Sequence, residues 1–111
     1  MADKVIRWLG SSLDDLRAFP EQARRAAGYQ LSRVQQGLMP SDWKPMKAVG
    51  SGAYEIRIRT GVEHRVFYVA KYDDAIYVLH AFEKHTRQTR QADIALARQR
   101  LAELIESRRQ K

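Results

Sequence analysis

Residues 54–82 limit the fold of this chain more than any other stretch. Tyr54, Ile56 and Ile58 alternate with Glu55, Arg57 and Arg59. A period of two is that of a strand with one apolar and one charged face. Thr60-Gly61-Val62-Glu63 reads as a turn, and His64 to Ala70 as a second strand. Tyr72-Asp73-Asp74 is a further turn before a third strand, Ala75 to Phe82. Connections this short favour an antiparallel meander.

The flanking segments have a helical period. Val5 to Leu9 is a short strand ended by Gly10. Ser11 or Ser12 then caps a helix, with Asp14 and Asp15 in the first turn, where negative charge suits the dipole. Its apolar face is Leu13, Leu16 and Phe19, and Pro20 breaks it. A second helix is predicted from Pro20 to about Gln36, with Ala23, Ala27, Leu31 and Val34 on one side and Gly37 as the stop. Residues 38–52 hold two Pro and two Gly and read as loop. Glu83 to Thr89 is polar and also reads as loop. A last helix starts near Gln91 and buries Ile94, Ala97, Leu101 and Leu104. Its charged tail, Ser107–Lys111, is expected to fray. The order β-α-α-β-β-β-α predicts an α+β fold over residues 1–111 as a single domain. It is a small twisted antiparallel sheet with an N-terminal helical hairpin and a C-terminal helix.

Length and composition narrow the function classes. A chain of 111 residues is too short for a (β/α)8 barrel or a dinucleotide-binding doubly wound fold. The absence of Cys rules out a disulfide scaffold, a thiolate zinc site and a Cys nucleophile. No apolar run approaches the ~20 residues of a membrane span, and the first residues lack a signal peptide's apolar core. A soluble, cytoplasmic protein with no membrane partner is expected. The net charge is +7. Residues 1–43 carry 6 basic and 5 acidic residues, and residues 44–111 carry 14 and 8. The excess therefore falls on the sheet and the final helix. A polyanionic partner or solubility alone would fit it.

A few side chains stand out as chemistry. Arg57 and Arg59 share the charged face of their strand, with Cα atoms roughly 7 Å apart. A solvated face with Glu55 as partner is the ordinary reading of such a stripe. Arg65 opens the next strand, and a tight hairpin near Gly61 brings it close to Arg57 or Arg59. Three guanidiniums on neighbouring strands repel one another unless an anionic ligand joins them. Lys84 and His85 follow the third strand, where His85 could exchange protons near neutral pH. His80 alternates with Ile76, Val78 and Phe82, which also suits a hydrogen-bonded, partly buried residue. Lys44 and Lys47 flank Trp43 and Met46, a pattern that can hold a phosphate backbone or close a core edge. The three His residues have no metal-ligand spacing, and Gly50-Ser51-Gly52 lacks the context of a phosphate loop. Arg98, Arg100, Arg108 and Arg109 lie on the last helix, but no close preceding helix makes a helix-turn-helix.

The ordered set of segments resembles a known family. It comprises Lys47-x-Val49-Gly50-Ser51-Gly52-x-Tyr54-Glu55-Ile56-Arg57, His64-Arg65-Val66-Phe67-Tyr68, and Leu79-His80-Ala81-Phe82-x-Lys84-His85-Thr86-Arg87-Gln88-Thr89. Ile94-Ala95-x-Ala97-x-x-Arg100-Leu101 completes it. Together these segments resemble the phage-derived HigB-like branch of the RelE toxin superfamily. The resemblance implies the toxin of a type II toxin–antitoxin pair, an endoribonuclease that cuts mRNA in the ribosomal A site and stops translation. A cognate antitoxin with a helix-turn-helix DNA-binding domain would neutralise it. No metal or other cofactor is implied.

Carried over by position, Arg65 would stabilise charge on the phosphate, Arg57 would assist, and Lys84 and His85 would transfer protons or contact phosphate. Lys47, Arg59, Lys44 and Arg87 would hold RNA. His85 stands where this branch usually has a second Lys, and Arg90 where it often has Pro. No Tyr follows Tyr77 to act as a base. The runner-up is a non-catalytic RNA- or ribosome-binding module on the same scaffold. A third reading makes the charge a means of pairing with an acidic protein.

Overall fold

Alternation over residues 53–84 produces the three long strands of the sheet. The structure is a computed structural model and describes residues 3–110. In chain order its elements are β1 (Val5–Trp8), α1 (Ser12–Arg17), α2 (Glu21–Gln35), β2 (Trp43–Pro45), β3 (Ala53–Thr60), β4 (Val62–Val69), β5 (Ala75–Lys84) and α3 (Gln91–Arg109). They form an α+β fold around one five-stranded sheet, ordered β1-β5-β4-β3-β2.

The β3–β4 hairpin is tight. Thr60 and Val62 are cross-strand partners with only Gly61 between them, at φ +107°, a conformation that L side chains rarely adopt. The expected four-residue turn is therefore one residue, and Val62 and Glu63 already belong to β4. Between β4 and β5 the register shifts at Phe67/Tyr68, which leaves Leu79 without a partner. β5 runs on to Lys84, past the predicted end at Phe82, because Glu63 and His64 extend β4 opposite Lys84 and Glu83.

Three further expectations are corrected. The sheet is mixed, because β1 pairs with β5 in parallel, Val5 opposite Ala75 through Trp8 opposite Val78. The long excursion through α1 to β4 gives the chain room to bring β5 beside β1 in the same direction. Residues 38–52 are not all loop. Trp43 to Pro45 forms a short strand on β3, and Pro45 is tolerated because β2 is the sheet edge. Finally, helical geometry extends past Ser107. α3 continues to Arg109, and Lys111 lies outside the described residues.

Helices cover both faces of the sheet. α1 and α2 pack Leu16, Phe19, Ala23, Ala27, Leu31 and Val34 onto Ile56, Ile58, Val66, Tyr68, Ile76 and Val78. Ala23 and Ala27 are fully buried, and their small side chains let α2 lie close to the sheet. On the other face α3 packs Ala97, Leu101 and Leu104 against Phe67, Val69, Tyr77 and Leu79. Each large apolar side chain so buried contributes roughly 1.5–3 kcal/mol. Among the described residues no helix is long and apolar enough to cross a membrane.

Candidate functional site

α3 covers only part of its face of the sheet. Its core contacts on β3 and β4 stop at Ala53 and Phe67. The next residues on that face, by alternation and register, are Glu55, Arg57 and Arg59 on β3, Arg65 and Glu63 on β4, and Lys84 on β5. Lys44 joins them from β2, directly opposite Glu55. The hairpin end of the sheet thus carries a dense set of charges beyond the helix.

Register makes Arg57 and Arg65 direct partners. The expected solvated face with Glu55 as partner holds only in part, because Arg65 and Glu55 are buried. Arg65 is only 2% exposed. Its Nη2 donates to Glu63 Oε1 at 2.5 Å, its Nη1 donates to the His64 carbonyl at 3.2 Å, and its Nε lies 3.5 Å from Glu55 Oε1. Arg57 is partly exposed and donates through Nε to the same Glu55 oxygen at 3.2 Å. Arg59 is half exposed and lies 3.0 Å from Asp42, which also sits 3.9 Å from Arg57.

Carboxylates therefore offset the repulsion between the guanidiniums. The central one is Glu55, 1% exposed, with Oε2 lacking a hydrogen-bond partner among the described residues. By pattern alone Glu55 is only a surface partner of the arginine stripe. Its two-residue spacing from Arg57 was a visible signal, but its burial depends on β2 and β4 closing on either side.

Lys84 stands opposite Glu63. Its amine titrates below the ordinary lysine value, first because it is partly desolvated and then because the Arg65 charge is close; Glu55 and Glu63 oppose the shift. The hydrogen bond from Arg65, followed by its charge, holds Glu63 below the usual carboxylate range.

The other predicted positions lie further out. His85 is exposed after β5 and approaches Glu83 at 3.6 Å, the neighbour of Lys84 on the opposite side of the strand. Arg87 is exposed in the same connection. Lys47 lines a separate open hollow of about 570 Å³ with Pro45, Gly50–Gly52 and Tyr54. His80 is buried, and its Nε2 lies 2.8 Å from Asp93 in the first turn of α3. Among the described residues no three His, Asp or Glu side chains converge as a metal ligand set.

This arrangement can attract a phosphodiester. Two guanidiniums and an amine sit at one open sheet end, and the buried Glu55 fixes the orientation of both guanidiniums. A family model described as phage-derived protein Gp49-like matches residues 14–102. The match spans α1 through most of α3 and includes every strand of the charged end. A comparison with curated proteins gave no match.

Proposed function

The chain belongs to the phage-derived Gp49-like family, and from that membership and the charged sheet end we propose that it is a toxin-type endoribonuclease acting on mRNA. The observation that carries this reading is the directly opposed pair Arg57–Arg65, bridged by Glu55, with Lys84 close enough to feel the Arg65 charge.

In the proposed reaction the ribose 2′-OH attacks the adjacent phosphorus. The bond to the 5′-oxygen breaks, leaving a 2′,3′-cyclic phosphate and a free 5′-OH. One proton leaves the attacking hydroxyl and one reaches the departing oxygen. Arg57 and Lys84 contact the non-bridging oxygens, and Arg65 adds its charge from just beneath the surface. Lys84, with its lowered pKa, and His85 share the proton transfers. Lys44, Lys47, Arg59 and Arg87 hold the flanking RNA. The resemblance to HigB-like and RelE toxins supports cleavage on the ribosome and neutralisation by a helix-turn-helix antitoxin.

One observation favours a second reading. Both carboxylate partners of Arg65 lie within its own hairpin, as a structural cation would have them. A non-catalytic RNA- or ribosome-binding module would need nothing more from it.

Primer extension on mRNA in a translating extract separates the two. Cleavage by the wild type, reduced about 100-fold in Lys84→Met and Arg57→Gln, supports the ribonuclease. Uncut transcripts and undisturbed protein synthesis would end that reading. Ribosome binding with a steep salt dependence and no cleavage selects the binding module.

A further inference from the structure

β1 stops short of the end of β5. Its last pair is Trp8 with Val78, so among the described residues the outer edge of β5 from Leu79 to Lys84 has no neighbouring strand. Arg100 satisfies the Leu79 carbonyl at 2.9 Å. Beyond it, Ala81, Phe82 and Glu83 form one wall of a cleft of about 340 Å³ between the end of α1 and the start of α3.

His64 and His80 both line this cleft, and each is buried with an Nδ1 that has no hydrogen-bond partner among the described residues. Buried polar atoms are rarely left in that state by the fold alone. The two rings are held firmly. His80 stacks on Phe82 at 4.8 Å and is fixed by Asp93 at 2.8 Å, while His64 meets Phe19 at 4.3 Å.

The cleft adjoins the cationic end of the sheet. Phe82 is the cross-strand partner of Arg65, and Lys84 lies two residues further along the same face. Two strand residues span about 7 Å, comparable to one nucleotide step. The cleft wall carries the acceptors Asp15, Glu83 and Asp93, and its one cation, Arg90, is already paired with Asp93 at 3.1 Å. Such a wall suits a planar heterocycle that presents hydrogen-bond donors. Uracil offers only its N3–H, flanked by two carbonyls that those carboxylates would repel, whereas adenine, cytosine and guanine each offer an exocyclic amine.

We infer that this cleft is a nucleobase subsite for the nucleotide beside the phosphate bound at Arg57 and Lys84, selecting bases with an exocyclic amine over uracil. The inference rests on the ribonuclease reading for its register, and its test reads binding alone.

The probes are 2′-O-methyl trinucleotides with A, C or U at the centre and U on both sides, which have no free 2′-OH to attack. They are titrated into the full chain while the imidazole NMR signals of His64 and His80 are followed. The A- and C-centred probes should bind roughly tenfold more tightly than the U-centred one and shift both imidazoles. Asp15→Asn combined with Glu83→Gln, both away from the core, should cut that preference below about threefold with the melting temperature unchanged. Equal affinities, unmoved imidazoles or no saturable binding would overturn the subsite. A chain that shows the preference yet never cuts RNA keeps the subsite and loses the ribonuclease. One that cuts RNA and treats the three probes alike loses the subsite only.

Discussion

Arg57 and Arg65 face each other across the β3–β4 hairpin, and one oxygen of Glu55 reaches both, at 3.2 and 3.5 Å. Two like charges directly opposite on neighbouring strands destabilise a sheet. Here the carboxylate between them offsets that repulsion. Glu55→Gln should remove the compensation and leave the buried Arg65 with Glu63 alone. The expected cost is about 3 kcal/mol, the usual range for an uncompensated buried charge. Urea denaturation checks it, with Glu63→Gln as the comparison because that carboxylate is half exposed. Equal, small losses in both variants would show that Glu55 does not hold the pair.

Lys84 supplies a pH signature. Its folded pKa lies below the ordinary 10.5, through desolvation first and the Arg65 charge second. Between the lowered and the ordinary value the unfolded chain binds more protons, so this group makes stability rise with pH across that window. Below the window both states are charged and the native state bears the full cost. Lys84→Met should therefore be at least as stable as wild type near pH 7, and its advantage should shrink as pH climbs toward about 10.5. Denaturation of both proteins between about pH 7 and 11 tests the sign. An advantage that grows with pH would contradict it.

The strand alternation of Tyr54 to Arg59 was legible because one face of β3 packs on the core, which fixes the period. Gly61 marked the hairpin for a similar local reason, and so Arg65 is expected beside Arg57 or Arg59, of which the register selects Arg57. Features that depend on distant partners did not. Nothing local in Val5 to Trp8 says that it pairs with Ala75 to Val78 in parallel. Trp43 to Pro45 is a strand only because β3 offers a free edge. Glu55 reads as a surface residue until Lys44, Arg57 and Arg65 enclose it. Lys84 carried its charge visibly, but its place opposite Glu63 required β5 to run two residues past Phe82.

His80 and Asp93 join the end of β5 to the start of α3. Their 2.8 Å contact is buried, and Arg90 secures the other carboxylate oxygen at 3.1 Å. Asp93→Asn keeps the shape but alters the partner that His80 needs. A loss of about 2 kcal/mol is expected, the scale of a buried hydrogen bond to a charged group. His80→Phe/Asp93→Leu should recover part of it, because replacing both polar partners leaves nothing unsatisfied. A double variant as unstable as the sum of the single variants would show that the two residues are not coupled.

Arg108 ties the last turns of α3 to the start of β5. It lies 3.1 and 3.2 Å from the Asp74 oxygens and donates to the Tyr77 hydroxyl at 3.1 Å, with its guanidinium carbon 3.9 Å from the centre of the Tyr72 ring. This anchor explains why a tail with the composition of a frayed end stays helical. Asp74 titrates below the usual carboxylate range, chiefly because the Tyr77 hydroxyl donates to it, with Arg108 assisting. A depressed carboxylate stabilises above its unfolded pKa, and that contribution disappears as pH falls through the folded value. Amide hydrogen exchange over residues 105–109 should therefore speed up roughly tenfold in Arg108→Ala at neutral pH, with the sheet unaffected. As pH falls below the ordinary aspartate value of 3.8, the wild type should lose its protection relative to the variant. Unchanged exchange in the variant would show that helix propensity alone holds this end.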